Sequence, residues 1–351
     1  MEQQGGCRTE VGELKMEIPD CMGQGGTGCR TSVAVPSRLH ITGIYVDPAM
    51  SGEELRSSLY EGNLIVLTRL PGVSALAAYY RARLEELFAP HDPEFAHEHF
   101  SPAEIAGLLG PWKPRFIHDP VSEQLVREIV QQAGCDPTLT HYDVPKPRTS
   151  FPTDHLTTGI AFAFPWHRDS WYAAPAQQIN WWLPAYPVRP DNTMGFDLTK
   201  FGRPVKNDSH KFDYYKLNMA RGTIAAQVTH EVQVRPSAVD HEAPQEVIVL
   251  PAPGSILLFA GAHLHRSIPN TSGRSRFSID FRTVDITDLR AGRGAPFADV
   301  YCTGTAIRDF HNVADGSPFD EEMVVDLFGA PPDGAMLTFN PDVTTGAPSG
   351  N

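Results

Sequence analysis

The sequence has no apolar run approaching the roughly 20 residues that a membrane-spanning helix needs. Its N-terminus also lacks the apolar stretch of a secretory signal. A reducing cytoplasm is therefore the expected compartment, with no membrane partner. A cationic excess is missing too: 29 Lys and Arg stand against 42 Asp and Glu, a net charge of −13. Long-range attraction to nucleic acid or an anionic bilayer is excluded as an expectation, which leaves small molecules as ligands. Cysteine is scarce. Cys7, Cys21, Cys29, Cys135 and Cys302 make an odd count with no C-x2-C pair, which argues against both a disulfide framework and a structural zinc site.

What is present is material for a sizeable core, 41% hydrophobic residues in a chain of 351. Residues 1–36 are Gly-rich and polar without a hydrophobic period and are expected to form a flexible leader. Residues 37–351 are expected to form one domain. Helical spacing marks Ser74–Ala89 and Ser122–Gly134, the second with a Ser cap and a closing Gly, so residues 37–137 are expected to be helical support. From 138 to 290 the pattern changes to short β-rich runs, GIAFAF, INWWL, EVIVL, SILLF and RFSIDFR, broken by Pro, Gly, Asn and Asp. Short strands that do not alternate with helices favour a sandwich or barrel, so the fold class is mainly β with flanking helices. Residues 291–351 are a C-terminal extension with one short helix near Glu321–Leu327. A monomer or homodimer is expected.

The chemistry concentrates in the β half. Phe164-Pro-Trp-His167-Arg168-Asp169 continues the run GIAFAF, and a strand there puts His167 and Asp169 on one face and Arg168 on the other. An imidazole beside a carboxylate needs one more His to complete the two-His, one-carboxylate face that leaves positions open on Fe(II). H-x-D alone is weak, and it recurs at His141-Tyr142-Asp143. That copy precedes VPKPR, which Pro keeps out of a central strand, whereas His167 is wrapped by Trp166, Trp171 and Tyr172. The third ligand is expected from Gly254-SILLFAGAHLHRSIPN, where His263 and His265 share a face and either can serve.

The following strand alternates Arg276, Ser278, Asp280 and Arg282 with Phe277, Ile279 and Phe281. Such a strand most often turns its polar face to solvent. With the histidines as neighbours, a second reading arises: the planar fork of Arg276 suits a dicarboxylate's far end, and the Ser278 hydroxyl adds a further bond.

This set, His167-Arg-Asp169 followed by His265-Arg-Ser-Ile-Pro-Asn and Arg276-Phe-Ser278, resembles the phytanoyl-CoA dioxygenase-like family of Fe(II)/2-oxoglutarate-dependent oxygenases over residues 140–290. The resemblance implies a double-stranded β-helix, a jelly-roll or cupin-like core, with His167, Asp169 and His265 as metal ligands. His265 rather than His263 is selected by its place before Arg-Ser-x-Pro-Asn. It implies Arg276 on the C5 carboxylate of 2-oxoglutarate, Ser278 as helper, Fe(II) and O2 as further requirements, and ascorbate as activator. Asn180, on the strand after H-x-D, is a candidate for the C1 carboxylate. An intact Asp169 favours hydroxylation over halogenation, with succinate and CO2 released. The chain departs from the family at Pro190-Asp-Asn-Thr-Met-Gly195, so the substrate-side loop is its own. Two rivals remain, a cupin-type dioxygenase independent of 2-oxoglutarate and a non-catalytic jelly-roll binding protein.

Four tryptophans, Trp166, Trp171, Trp181 and Trp182, fall within seventeen residues and are expected mainly to pack, with some free to line a pocket. Residues 197–222 carry six cations against three acids, more simply a solvated insertion than a steering surface. His91, His97 and His99 are expected to be surface histidines.

Overall fold

The computed structural model describes residues 42–152, 155, 161, 163–221 and 235–338. The leader therefore lies outside the described residues. The elements run β1 (Ile44–Val46), α1 (Gly52–Tyr60), β2 (Leu64–Leu67), α2 (Pro71–Phe88), α3 (Ala96–His99), α4 (Pro102–Ile117), α5 (Pro120–Gln132), β3 (Thr140–Tyr142) and β4 (Lys146–Ser150). There follow β5 (Ile179–Pro184), β6 (Met194–Phe196), α6 (Tyr214–Arg221), β7 (Val247–Ile248), β8 (Ile256–Ala260), β9 (His265–Ser267), β10 (Arg276–Asp285), α7 (Ile286–Ala291), β11 (His311–Asn312) and α8 (Glu321–Phe328).

Capping residues set several helix starts. Ser51 with Glu54 and Ser101 with Glu104 form reciprocal capping boxes at α1 and α4. The second expected helix starts earlier than its Ser suggests. Asp119 is the cap, accepting from the Ser122 amide, and Pro120 fills the first helical position. The N-terminal part is not wholly helical: β1 and β2 lie within it, and β2 joins the main sheet beside β8. Leu64-Ile-Val-Leu67 is too short to show a period, so the strand was not visible before its partner.

The larger sheet runs β1-β2-β8-β5-β10-β3-β11, with β4 also paired to β10, and the smaller runs β7-β6-β9. The Pro-containing stretch 144–148 does contribute a strand, because Pro147 sits opposite Ile279 in β4, which forms no further ladder. The two faces of the larger sheet differ. Phe277, Ile279 and Phe281 of β10, with Trp181 and Leu183 of β5 and Ile256 and Leu258 of β8, pack on Tyr80, Leu84 and Phe88 of α2 and Val126 and Ile129 of α5. From the opposite face, Trp182, Leu257, Phe259 and Val66 meet Met194 and Phe196 of the smaller sheet. The polar residues of β10 share that second face and point between the sheets rather than into solvent. Arg276 is 7% exposed and Ser278 0%.

Among the described residues no helix is long and apolar enough to cross a membrane. The insertion forms short turns and α6, and its charges pair locally, as in Lys211 with Asp208 and Lys216 with Asp213. The C-terminal helix is α8, and its Val324 joins a small satellite core with Leu289 and Phe310.

Candidate active site

Half of the run GIAFAF lies outside the described residues, and the geometry at His167 differs from a continuing strand. His167 makes an isolated antiparallel bridge to His265, each backbone amide donating to the other's carbonyl at 2.9 Å. Asp169 then opens a tight turn, Asp169–Tyr172, and the Ser170 amide donates to the Gly261 carbonyl. The bridge, rather than strand alternation, is what sets the two imidazoles side by side, with ring centres 4.2 Å apart.

His167, Asp169 and His265 are the one group of three metal-competent side chains found among the described residues, with donor atoms all within 4.8 Å of one another. Nε2 of His167 lies 3.6 Å from Oδ1 of Asp169, and Nε2 of His265 lies 3.9 Å from the same oxygen. Nδ1 of His167 meets the Pro165 carbonyl at 2.8 Å and Nδ1 of His265 meets the His263 carbonyl at 3.0 Å. A neutral ring has one N–H, and donating it to those carbonyls leaves the Nε2 lone pairs facing the carboxylate. Burial pushes His265 down to about 3, which keeps it neutral. Burial alone would raise the Asp169 carboxyl, but the imidazoles beside it and the Arg282 guanidinium outweigh it and hold Asp169 far below the usual carboxylate range. Three acceptors thus converge with no proton between them, an arrangement that a divalent cation relieves at bond lengths of about 2.1 Å.

His263 is tied up differently. Its Nδ1 lies 3.1 Å from the Ala260 carbonyl and its Nε2 lies 2.9 Å from the Gly62 carbonyl, so neither nitrogen is free to ligate. The other H-x-D copy serves structure. His141 stacks on Phe319 at 3.7 Å, and Asp143 pairs with Lys146 and Arg282.

On β10 and β5 a second polar group collects. Arg276 spreads over the Trp182 ring, 5.8 Å from its centre, and its Nε and Nη1 are buried without a hydrogen-bond partner among the described residues. Ser278 Oγ and Asn180 Nδ2 are buried and unpartnered as well. Burial and the neighbouring Arg148 lower Arg276 to about 10, leaving it cationic at neutral pH. Buried donors without acceptors cost on the order of 1–3 kcal/mol each, so a charged guanidinium left this way points to an absent anion. A carboxylate suits the Arg276 and Ser278 donors.

Several participants were not anticipated. Gln178 donates to Asp169 Oδ2 at 3.2 Å and to Asn180 Oδ1 at 2.9 Å, which turns the Asn180 amide nitrogen away from it. Alternation two residues before Asn180 was the available signal. Arg168, 2% exposed, ion-pairs with Asp299 at 3.2 Å and donates to the carbonyls of Ala262, Lys200 and Arg203. Asp299 lies in the irregular extension, where no pattern marks it. All four clustered tryptophans are buried, and Trp182 is the one beneath Arg276. His91 and His99 stack on each other with ring centres 3.9 Å apart, while His97 contacts Ser275 Oγ at 3.0 Å.

No protein-family model and no curated protein matches the chain. Among solved structures the chain is similar to EvdO2 from Micromonospora carbonacea var. aurantiaca complexed with 2-oxoglutarate, at TM-score 0.42 and 14% identity over 68% of this chain and 92% of that one. It is also similar to the non-haem monooxygenase ThoJ in its apo form, at 0.34 and 15% over 73% and 87%. A third is the epimerase SnoN in complex with Fe3+, α-ketoglutarate and nogalamycin RO, at 0.36 and 13% over 77% and 96%. With TM-scores of 0.42 and below, these likenesses assign no activity to this chain.

Proposed function

We propose that the chain is an Fe(II)/2-oxoglutarate-dependent oxygenase of the phytanoyl-CoA dioxygenase-like kind, with a jelly-roll core, that hydroxylates an aliphatic C–H bond of a small molecule such as an amino acid or natural-product intermediate. The carrying observation is the pairing of two unsatisfied groups: three acceptors that need a cation, and a buried guanidinium that needs an anion. A cupin-type dioxygenase independent of 2-oxoglutarate accounts for the first and leaves Arg276 without a task, and a binding protein needs neither.

In this reading His167, Asp169 and His265 hold the metal. Arg276 and Ser278 receive the C5 carboxylate of 2-oxoglutarate, and Asn180 donates to its C1 end. Bound together, iron and 2-oxoglutarate supply the oxidising chemistry, in which O2 and 2-oxoglutarate become succinate, CO2 and the substrate's new hydroxyl. Asp169, ionised, balances part of the metal's charge, and Gln178 restrains the carboxylate oxygen that faces away from the two histidines. Trp182 shields the Arg276 guanidinium and thereby strengthens its hold on an anion. Ascorbate would keep the iron reduced between turnovers, and a monomer or homodimer suffices.

The test is succinate formation from 2-oxoglutarate by anaerobically purified protein given Fe(II), ascorbate and air. Slow turnover in the wild type, abolished in His167→Ala and Arg276→Ala, supports the assignment. A silent wild type that also fails to bind 2-oxoglutarate overturns it in favour of the cupin or binding-protein readings.

A further inference from the structure

The two histidine ligands are joined a second time, through the residues beside them. Arg266 follows His265 on β9 and Trp166 precedes His167. The guanidinium carbon of Arg266 lies 5.0 Å from the centre of the Trp166 ring, a cation over an aromatic face. Alternation along β9 directs Arg266 away from the triad. The backbone bridge between His167 and His265 therefore has a counterpart on its outer side, made by side chains.

Glu246 fixes that contact. Its carboxylate accepts from Arg266 Nε at Oε1 and from Nη2 at Oε2, both at 2.7 Å, the two-pronged geometry that sets the plane of a guanidinium. The segment that carries Glu246 also holds Trp166. The Ala238 amide donates to the Trp166 carbonyl at 2.8 Å, and His241 meets the Trp166 ring edge-on at 5.5 Å. Room for Glu246 comes from Gly195, which lies opposite Arg266 on β6. A Cβ there would stand 1.8 Å from Glu246 Oε1. Glycine weakens a strand interior and often marks a close approach, here of a carboxylate crossing β6. Gly195 closes the stretch Pro190–Gly195, which is this chain's own.

The Arg266 and Glu246 side chains are 32% and 20% exposed, and a pair so placed adds little to global stability. Its local effect is larger. A metal held by two imidazoles needs them at one separation, and these rings stand 4.2 Å apart at 46°. We propose that Glu246 is a positioning residue for the metal site: by setting the Arg266 guanidinium over Trp166 it holds the His167 and His265 segments at the spacing a divalent cation requires. This inference rests on the metal site of the oxygenase reading.

The probe is Co(II), whose visible bands report its coordination geometry. It is titrated anaerobically into the wild type, Glu246→Gln, Glu246→Ala, Arg266→Met and the double variant Glu246→Ala/Arg266→Met, and urea midpoints are measured on the metal-free proteins. Glu246→Ala and Arg266→Met should each weaken Co(II) binding roughly tenfold and alter the bands. Glu246→Gln, which keeps one acceptor, should fall between Glu246→Ala and the wild type, and the metal-free midpoints should stay near wild type. The double variant should bind no more weakly than Arg266→Met alone, because the two residues act as one unit. Unchanged affinity and bands in Glu246→Ala overturn the inference. So does weaker binding with wild-type bands, or with the metal-free midpoint lowered in step, since the pair is then ordinary scaffold. A further tenfold loss in the double variant also overturns it, because Glu246 then acts through another residue. A wild type that fails to bind Co(II) overturns the metal assignment itself, and the inference with it.

Discussion

Gln178 donates its side-chain amide to Oδ2 of Asp169 at 3.2 Å, so the carboxylate that closes the candidate metal site is steered from the residue just before the strand that carries Asn180. The same amide reaches Asn180 Oδ1 at 2.9 Å. One side chain therefore fixes both the oxygen Asp169 offers and the direction of the Asn180 nitrogen. Replacing such an outer partner typically weakens metal binding by roughly 10–100-fold. Gln178→Leu should lower Fe(II) or Co(II) affinity within that range, measured by anaerobic titration, and should raise the 2-oxoglutarate Kd as well. An unchanged metal affinity would show that Asp169 needs no such restraint.

Arg276 sits buried over Trp182 with two donor atoms unpartnered among the described residues. Charge-assisted bonds contribute roughly 1.5–3 kcal/mol each, so Arg276→Gln should raise the 2-oxoglutarate Kd by about a hundredfold or more. Metal affinity in the absence of 2-oxoglutarate should stay near wild type, because Arg276 lies outside the triad. Arg276→Lys should recover only part of the loss, since a point charge lacks the fork. Calorimetric titration of 2-oxoglutarate into the metal-loaded variants reads all three outcomes, and a Kd within about twofold of wild type for Arg276→Gln would remove the residue from the co-substrate site.

The strand β10 was legible because strict alternation of polar and apolar residues survives any packing. What alternation cannot say is which face is covered. Helices cover the apolar face here and the smaller sheet covers the polar one, so Arg276 and Ser278 are buried where a solvent-facing strand was the simpler expectation. The choice between His263 and His265 likewise needed partners that lie far away in sequence, since the Gly62 carbonyl is what occupies His263. The pairing of His167 with His265 through a bridge, and the reach of Asp299 to Arg168, are long-range events that leave no local period.

Arg168 stands between the two H-x-D ligands and is 2% exposed. It ion-pairs with Asp299, which also accepts from Trp171 Nε1 at 3.0 Å and from the Val205 amide at 2.9 Å. Removing one member of such a pair leaves a buried charge uncompensated, at a cost of roughly 3–5 kcal/mol. Asp299→Ala should lower the urea midpoint accordingly and weaken metal binding by loosening the turn that carries Asp169. A stability loss below about 1 kcal/mol would place the pair with ordinary surface bridges.

His141, 4% exposed and stacked on Phe319, supplies a pH dependence separate from the metal site. Burial pushes it down to about 4 from an ordinary value of 6.5. Between those values the unfolded chain binds the proton and the folded one does not, so stability rises with pH across that window. The contribution is fully present above pH 6.5 and is lost as pH falls towards 4, for a total of at most about 3 kcal/mol. His141→Phe keeps a ring against Phe319 and removes the proton site. Urea midpoints measured at intervals from pH 4 to pH 7 should therefore fall less steeply with acidification in His141→Phe than in the wild type. Parallel profiles would mean that other carboxylates and histidines carry the whole acid sensitivity.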